Sequence, residues 1–166
     1  WNFIGYRQAK SISYENRYTR LTYEYANKEK HSKLSAASDD EELVKDLTWM
    51  NFRQHFFSSM LLTDTAFKEV ALSSIDLVKD EEVDTLYTKM YGAKMLLEPK
   101  SGNLSYDMNM YYGPTEYKIF KTYDRNLDEA MPLGWGIFGF LNKYLIIPLF
   151  AFLSDFLPAG IAIIML

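Results

Sequence analysis

Leu47-Thr48-Trp49-Met50-Asn51-Phe52-Arg53-Gln54-His55-Phe56-Phe57-Ser58-Ser59-Met60-Leu61-Leu62 is the most aromatic and apolar run in the first 130 residues of this 166-residue chain. Strict alternation fails within it, because Trp49 and Phe52, then Phe56 and Met60, fall out of a period of two. Two readings follow: two buried strands joined by a bend near Arg53-Gln54, or a single helix. The flanks favour strands. Leu21, Tyr23 and Tyr25 alternate with Thr and Glu, Ile12 and Tyr14 before them also fall on alternating positions, and Phe67 to Val78 alternates with Val70, Leu72 and Ile75. Thr85 to Leu97 and Leu104 to Tyr112 repeat the pattern, and Glu98-Pro99-Lys100-Ser101-Gly102-Asn103 between them has the composition of a hairpin connection. Residues 27–42 are polar and end in Asp39-Asp40-Glu41-Glu42, which suits a loop or an edge hairpin. About six strands with few helix signals predict a mainly β fold, an antiparallel β-sandwich.

The composition narrows the chemistry. No cysteine is present, which excludes disulfides, zinc-thiolate sites, Fe–S clusters and cysteine nucleophiles. A net charge of −4 argues against a nucleic-acid partner. The charge is unevenly spread: of 18 basic and 22 acidic residues, only Lys143 and Asp155 lie beyond residue 133. The chain is thus a charged, alternating front with an apolar tail. It begins at Trp1 and stops inside the run Ile161-Ala162-Ile163-Ile164-Met165-Leu166, so both ends are expected to be cut from something longer. At the junction, Gly113-Pro114-Thr115-Glu116 predicts a short helix over about 115–123, with proline and an acid at its start. Asp124 to Ala130 reads as a polar linker.

Residues 131–157 predict an amphipathic helix that lies in the plane of a lipid–water interface. Gly136, Gly139, Asn142, Lys143, Ser154 and Asp155 share roughly one side, and Trp135, Phe138, Leu141, Leu145, Leu149 and Phe152 occupy the others. Trp135 and Tyr144 have an apolar ring with a polar tip, which suits headgroup depth. Trp135, Phe138, Leu141, Lys143, Tyr144, Leu145, Leu149 and Phe152 are therefore the candidate membrane-interface residues. Burying about eight large side chains at ~1.5 kcal/mol each would give roughly 12 kcal/mol gross, before ordering costs. Pro148 should disturb the helix and Pro158-Ala159-Gly160 end it. Residues 158–166 then read as the first turns of a truncated transmembrane helix. The competing interpretation is a buried hairpin of core helices in a soluble protein.

Other candidate chemistry is sparse. His31 and His55 lie 24 residues apart without metal-ligand spacing, and no His–Glu pair can be assigned to one site, so neither a metal, a cofactor nor an enzymatic activity is expected. The acidic runs at 39–42 and 80–82 read as solvated loops. Lys118, Lys121 and Arg125 could meet anionic headgroups or simply line an exposed helix face. The cluster Trp49, Phe52, Phe56 and Phe57 reads as core rather than as a ligand platform.

Leu133-Gly134-Trp135-Gly136-Ile137-Phe138, with Asn142-Lys143 and Ile146-Ile147-Pro148 behind it, resembles the junction between the periplasmic domain and the membrane core in the YidC/Oxa1/Alb3 family, in its Bacteroidetes form. Trp49 to Asp64 is similar to that family's aromatic segment, and Tyr111-Tyr112-Gly113-Pro114 with Tyr117-Lys118 to its step into a short helix. The resemblance covers most of the chain and is sharpest at 111–157. It implies that residues 1–130 are the later part of a periplasmic β-supersandwich, in the manner of mutarotase-like domains. It also implies a membrane protein insertase and chaperone of the bacterial inner membrane, working alone or with Sec translocon components on nascent membrane proteins. The groove that carries the insertion chemistry would lie beyond Leu166. Two alternatives remain: a membrane-anchored carbohydrate-binding β-sandwich module, and a soluble β-domain with a partner-binding helix.

Overall fold

The computed structural model describes residues 1–26, 30–36, 38–97, 99, 102, 104–131, 136–158 and 161. The chain divides into two compact units, Trp1–Ala130 and Met131–Leu166.

The first unit is mainly β, as the alternation predicted. Its seven described strands are β1 (Asn2–Tyr6), β2 (Arg20–Tyr25), β3 (Lys30–Lys33), β4 (Asp40–Arg53), β5 (Phe57–Asp76), β6 (Tyr87–Met95) and β7 (Met108–Pro114). All pairings are antiparallel, in the order β1-β6-β5-β4-β2-β3, with β7 also on β5. The aromatic run is the β4–β5 hairpin, bent after Arg53, where the Gln54 N–H bonds the Phe57 carbonyl at 2.8 Å. The helical reading of this run fails because both faces of the ribbon are covered: residues 47–53 are buried on either side, a demand that two layers of packing impose on a strand.

One continuous sheet supplies both layers of the sandwich. Phe52 pairs with Ser59, and Tyr91 pairs with Ser74. Fifteen residues of straight strand would separate those rows by about 50 Å. Yet the Phe52 and Tyr91 rings lie 5.4 Å apart, and Trp1 and Phe3, beside β6, lie 4.4 and 6.0 Å from Phe52. The ribbon therefore folds back on itself. The fold sits where Leu47 pairs with Phe67 but Trp49 pairs with Leu62, so that four residues of β5 (Thr63 to Ala66) face Thr48 alone. Such a bulge bends a strand and increases its twist. Asp46 beside it takes φ 53°, a conformation that Asp tolerates better than most residues. The enclosed core joins Leu21, Tyr23, Met50, Phe52 and Leu61 from one layer to Val70, Leu72, Tyr91 and Ala93 from the other.

The same bulge explains a wrong connection. β6 and β7 do not form a hairpin with each other. β6 pairs with Val70–Asp76 and β7 with Phe57–Thr63, end to end along one edge of β5 on either side of the bend. Much of the connection at 98–103 lies outside the described residues; of it, Gly102 is described, with φ 81°. A second correction concerns Ile12 and Tyr14, which lie in helix α1 (Ile12–Tyr18) and not in a strand. The Ser11 hydroxyl accepts the Tyr14 N–H, and the buried Glu15 carboxylate accepts the N–H groups of Gln8 and Ala9, both at 2.9 Å. Local capping overrides an alternation only two residues long. The polar segment 27–42 contributes β3, an edge hairpin partner of β2.

The short helix appears as α2 (Tyr117–Thr122), entered through Gly113-Pro114. A side chain at Gly113 could not be accommodated: its Cβ would lie 2.6 Å from the Tyr111 hydroxyl, which donates to the Pro114 carbonyl at 2.7 Å. The polar stretch after α2 is not a free linker. Leu127–Ala130 forms a 3-10 turn with Leu127, Asp128 and Ala130 buried. Together with α2 it covers the outer face of the β2–β4–β5–β7 layer, where Phe120 meets Tyr111 edge to face at 5.6 Å. Leu127 is apolar at a position where the neighbouring charges hid it.

Candidate functional site

The second unit carries the predicted interface residues, and its geometry follows from its backbone. α3 (Gly136–Leu141) passes into a π-turn (Asn142–Ile146) and then α4 (Ile147–Phe156). At the wide turn the Ile147 N–H reaches the Asn142 carbonyl, an i to i+5 bond. Pro148 follows that turn inside a helical run that is continuous from Ile137 to Phe156, and the wide turn loosens the backbone where proline cannot donate and its ring would crowd the preceding turn. The disturbance expected at Pro148 is therefore placed just upstream of it, as an extra residue in the helix.

That extra residue changes which side chains align. A regular helix advances about 100° per residue, so it would carry Asp155 about 100° away from Gly136. One inserted residue turns everything beyond it back by about the same angle. Asp155 then comes into line with Gly136, and Asn142, Ser154, Gly139, Lys143 and Asp155 fall within one arc of about 120°. The stripe noted in the sequence is narrower in three dimensions than in a straight-helix projection.

Opposite that arc, apolar side chains stand exposed. Phe138, Tyr144 and Phe152 are 62%, 62% and 60% exposed, and Leu141, Leu145 and Leu149 are exposed as well. Phe140 and Tyr144, and Phe152 and Phe156, meet as tilted ring pairs one turn apart at 4.8 and 5.2 Å. Ile137–Phe156 is a helix of 20 residues, long and apolar enough to cross a membrane, and none of it is buried. The core-hairpin alternative required burial, and this helix has none. Trp135 lies outside the described residues, as does most of 158–166.

On the first unit, the residues just before the tail are stapled to the sheet. Arg53, buried on β4, donates from Nη1 to the Ala130 carbonyl and from Nε to the Tyr18 carbonyl, both at 2.8 Å. Burial lowers the Arg53 pKa to about 10, with the nearby Arg20 charge adding to the effect. Asn126 donates to Glu24 at 3.1 Å, and the Thr48 hydroxyl donates to the same carboxylate at 2.7 Å. Arg125 reaches Asp64 and the Thr63 carbonyl, each at 2.6 Å, and Lys121 pairs with Asp128 at 3.1 Å. Of the three cations that could have faced headgroups, only Lys118 is given no bond to the sheet or its cover by these contacts. No sequence signal marks Arg53 for this role. It sits between Phe52 and Gln54 in a bend, and its partners, the Tyr18 and Ala130 carbonyls, lie 35 and 77 residues away in the chain.

The remaining candidates separate. His31 lies 3.5 Å from Glu129 at the surface. His55 stacks between Tyr18 (4.6 Å) and Phe56 (4.0 Å), with Tyr14 edge-on at 5.4 Å. Trp49 and Phe52 are core, but Phe56 and Phe57 are exposed, so the cluster splits at the bend. Inside the sandwich Lys89 is fully buried, 3.7 Å from Asp76, and burial lowers its pKa against the pull of that carboxylate. Tyr91 is buried beside it in β6, and burial raises its phenol pKa. Among the described residues no three His, Asp or Glu side chains cluster as metal ligands would.

Known proteins give the same division of the chain a context. The YidC periplasmic domain family matches residues 2–148, which takes in the sheet, its helical cover, α3 and the π-turn. A membrane protein insertase YidC of Bacteroides fragilis is 32% identical over 176 aligned residues, covering all of this chain and 28% of that protein. Those of Parabacteroides distasonis and Azobacteroides pseudotrichonymphae are 28% and 29% identical, over 91% and 96% of this chain and 24% and 27% of theirs. The chain thus spans about a quarter of the length of the curated relatives it matches. An antiparallel body, a Gly-Pro step into a short helix and an apolar helix behind it, matched by one family model from residue 2 to residue 148, make this chain a member of the YidC periplasmic domain family.

Proposed function

We propose that the chain is the membrane-proximal part of a membrane protein insertase. Residues 1–130 form the later part of a periplasmic β-sandwich, 131–157 an interfacial helix, and 158–166 the start of a membrane span in the bacterial inner membrane. The whole protein inserts and folds nascent membrane proteins, alone or beside the Sec translocon, and acts as a chaperone and not as an enzyme. The observation that carries the reading is the apolar helix Ile137–Phe156, none of it buried, behind a body of the periplasmic family.

An in-plane pose fits this helix better than a crossing one. A span would carry Lys143 about 9 Å below the level of Ile137, into the region where a charge is costly. Lying flat, one arc keeps Asn142, Lys143, Ser154 and Asp155 in the headgroup layer while Phe138, Leu141, Tyr144, Leu145, Leu149 and Phe152 enter the acyl boundary. Such a helix at the edge of an insertase would hold the periplasmic body at a fixed height and perturb the lipid packing beside the entry path of a client.

Flotation with vesicles tests the anchor. The 166-residue chain should rise with phosphatidylcholine vesicles, and L145D/F152D should stay at the bottom with an unchanged far-UV spectrum. A wild-type chain that stays at the bottom overturns the reading. For the whole protein, the same pair of substitutions should lower the yield of a single-span client inserted into proteoliposomes; undiminished insertion would remove the helix from the mechanism.

A further inference from the structure

The β4–β5 bend presents a cluster of rings to solvent that the core does not use. Phe56 and Phe57 are 62% and 55% exposed. His55 stacks face to face on Phe56 and Tyr18, Tyr14 packs edge-on against His55, and Tyr112 is exposed on β7, opposite Ser59. Exposed aromatic rings in such a group are unusual on a monomer surface. The rings combine apolar bodies with the polar tips of Tyr and His, the chemistry enriched at headgroup depth.

The position of this cluster is set by the clasp described above. Arg53, three residues before Phe56, holds the Ala130 carbonyl, and its Nε holds the Tyr18 carbonyl. The chain therefore leaves the sandwich beside the ring cluster. Gly136 opens α3 six Cα–Cα steps after Ala130, so the exit lies within about 20 Å of the start of that helix, whatever the path between. The ring cluster thus flanks the point at which the chain leaves the body for the apolar tail.

We infer that the bend, through Phe56 and Phe57 with Tyr14, Tyr18, His55 and Tyr112, is a second membrane-contact surface that docks the β-sandwich onto the lipid–water interface. The inference rests on the tail being the primary anchor, as proposed above. The contact works through rings and not through headgroup charge. The acidic 80–82 turn is tied toward the same end, since Arg7 bonds the Glu81 carbonyl at 2.8 Å and the adjacent Gln8 bonds Gln54 at 3.3 Å. An anionic surface would repel that turn, so neutral phosphatidylcholine is the fitting partner.

The absence of cysteine allows single-site labelling of the full chain. F56C and F138C are each coupled to an environment-sensitive NBD dye and mixed with phosphatidylcholine vesicles. Blue-shifted, brighter emission from both labels is expected. A lipid signal at 138 with a water signal at 56 overturns the inference and leaves the anchor standing. A water signal at 138 removes the anchor, and the inference with it. A blue shift at 56 that precedes vesicle addition and grows with protein concentration identifies a self-association surface and also overturns it. Independently, F56S/F57S in the unlabelled chain should weaken vesicle binding by on the order of a hundredfold, given two ring burials lost; unchanged binding at limiting lipid would count against the contact.

Discussion

Phe52 and Phe152 are the same side chain in two different solvents. Phe52 is fully buried between Trp1, Phe3 and Tyr91, whereas Phe152 stands 60% exposed on a helix with no buried residue. The first 130 residues solve their hydrophobic problem internally, by folding one ribbon back over itself at the Thr63–Ala66 bulge. The tail cannot: a single helix has no second layer. Its apolar side chains keep their transfer energy in reserve for a surface outside the protein, and the proposed anchoring draws on that reserve.

The contrast can be broken by exchanging the test. Phe52→Ala should cost the body about 3–5 kcal/mol in urea unfolding, because it opens a cavity among the rings of Trp1, Phe3 and Tyr91. Phe152→Ala should leave the same midpoint within about 0.5 kcal/mol while weakening vesicle flotation. Equal effects of both on unfolding would show that the tail packs on the body and is not free for lipid.

The boundary between the regions is tested at Arg53. Arg53→Ala removes the bonds to the Tyr18 and Ala130 carbonyls and should cost about 1–3 kcal/mol, with hydrogen exchange quickened selectively over 117–130. Exchange that is unchanged there would mean that the helical cover is held by Phe120 and Leu127 alone.

Within the tail, deleting Leu145 removes the extra residue of the π-turn and returns Asp155 to a position about 100° from Gly136. Vesicle binding should weaken, by less than in L145D/F152D. Stronger binding would show that the polar arc has no part in the pose.

The smallest effect belongs to the body's interior. The Tyr91 hydroxyl is buried and bonded to no other described protein atom, so Tyr91→Phe should be neutral or stabilising by up to about 1 kcal/mol at pH 7. Its folded pKa is raised above the ordinary value of 10.0 by burial, so the unfolded chain loses the proton first. Stability is then intact below pH 10 and falls as pH rises beyond it, and Y91F should make that fall shallower in urea midpoints. A decline equally steep in Y91F would assign it to Tyr23 and Tyr111, whose pKa values burial also raises.

Strand identity was readable where alternation ran for five or more residues, as in 20–25 and 67–76, because a half-buried ribbon imposes a period of two. It misled at Ile12 and Tyr14, where the Ser11 cap and the Glu15 carboxylate stabilise a helical turn that two alternating residues cannot outweigh. The exposed apolar side of the tail was readable for a similar reason, since helical periodicity is a local property. Arg53 was not, nor was the burial of Leu127: the first meets a carbonyl 77 residues away in the chain, and the second lies in a stretch of polar and charged neighbours.

The residues themselves settled a β-rich front, a chain without thiol chemistry and an apolar tail that demands a partner, all of which follow from side-chain period and composition. Tertiary structure alone decided that one ribbon makes both layers, that β6 and β7 share an edge of β5, and that Ala130 is clasped beside the exposed rings. Those outcomes depend on where a bulge bends a strand and on which distant carbonyl meets a buried cation, and neither is written in any local stretch of chain.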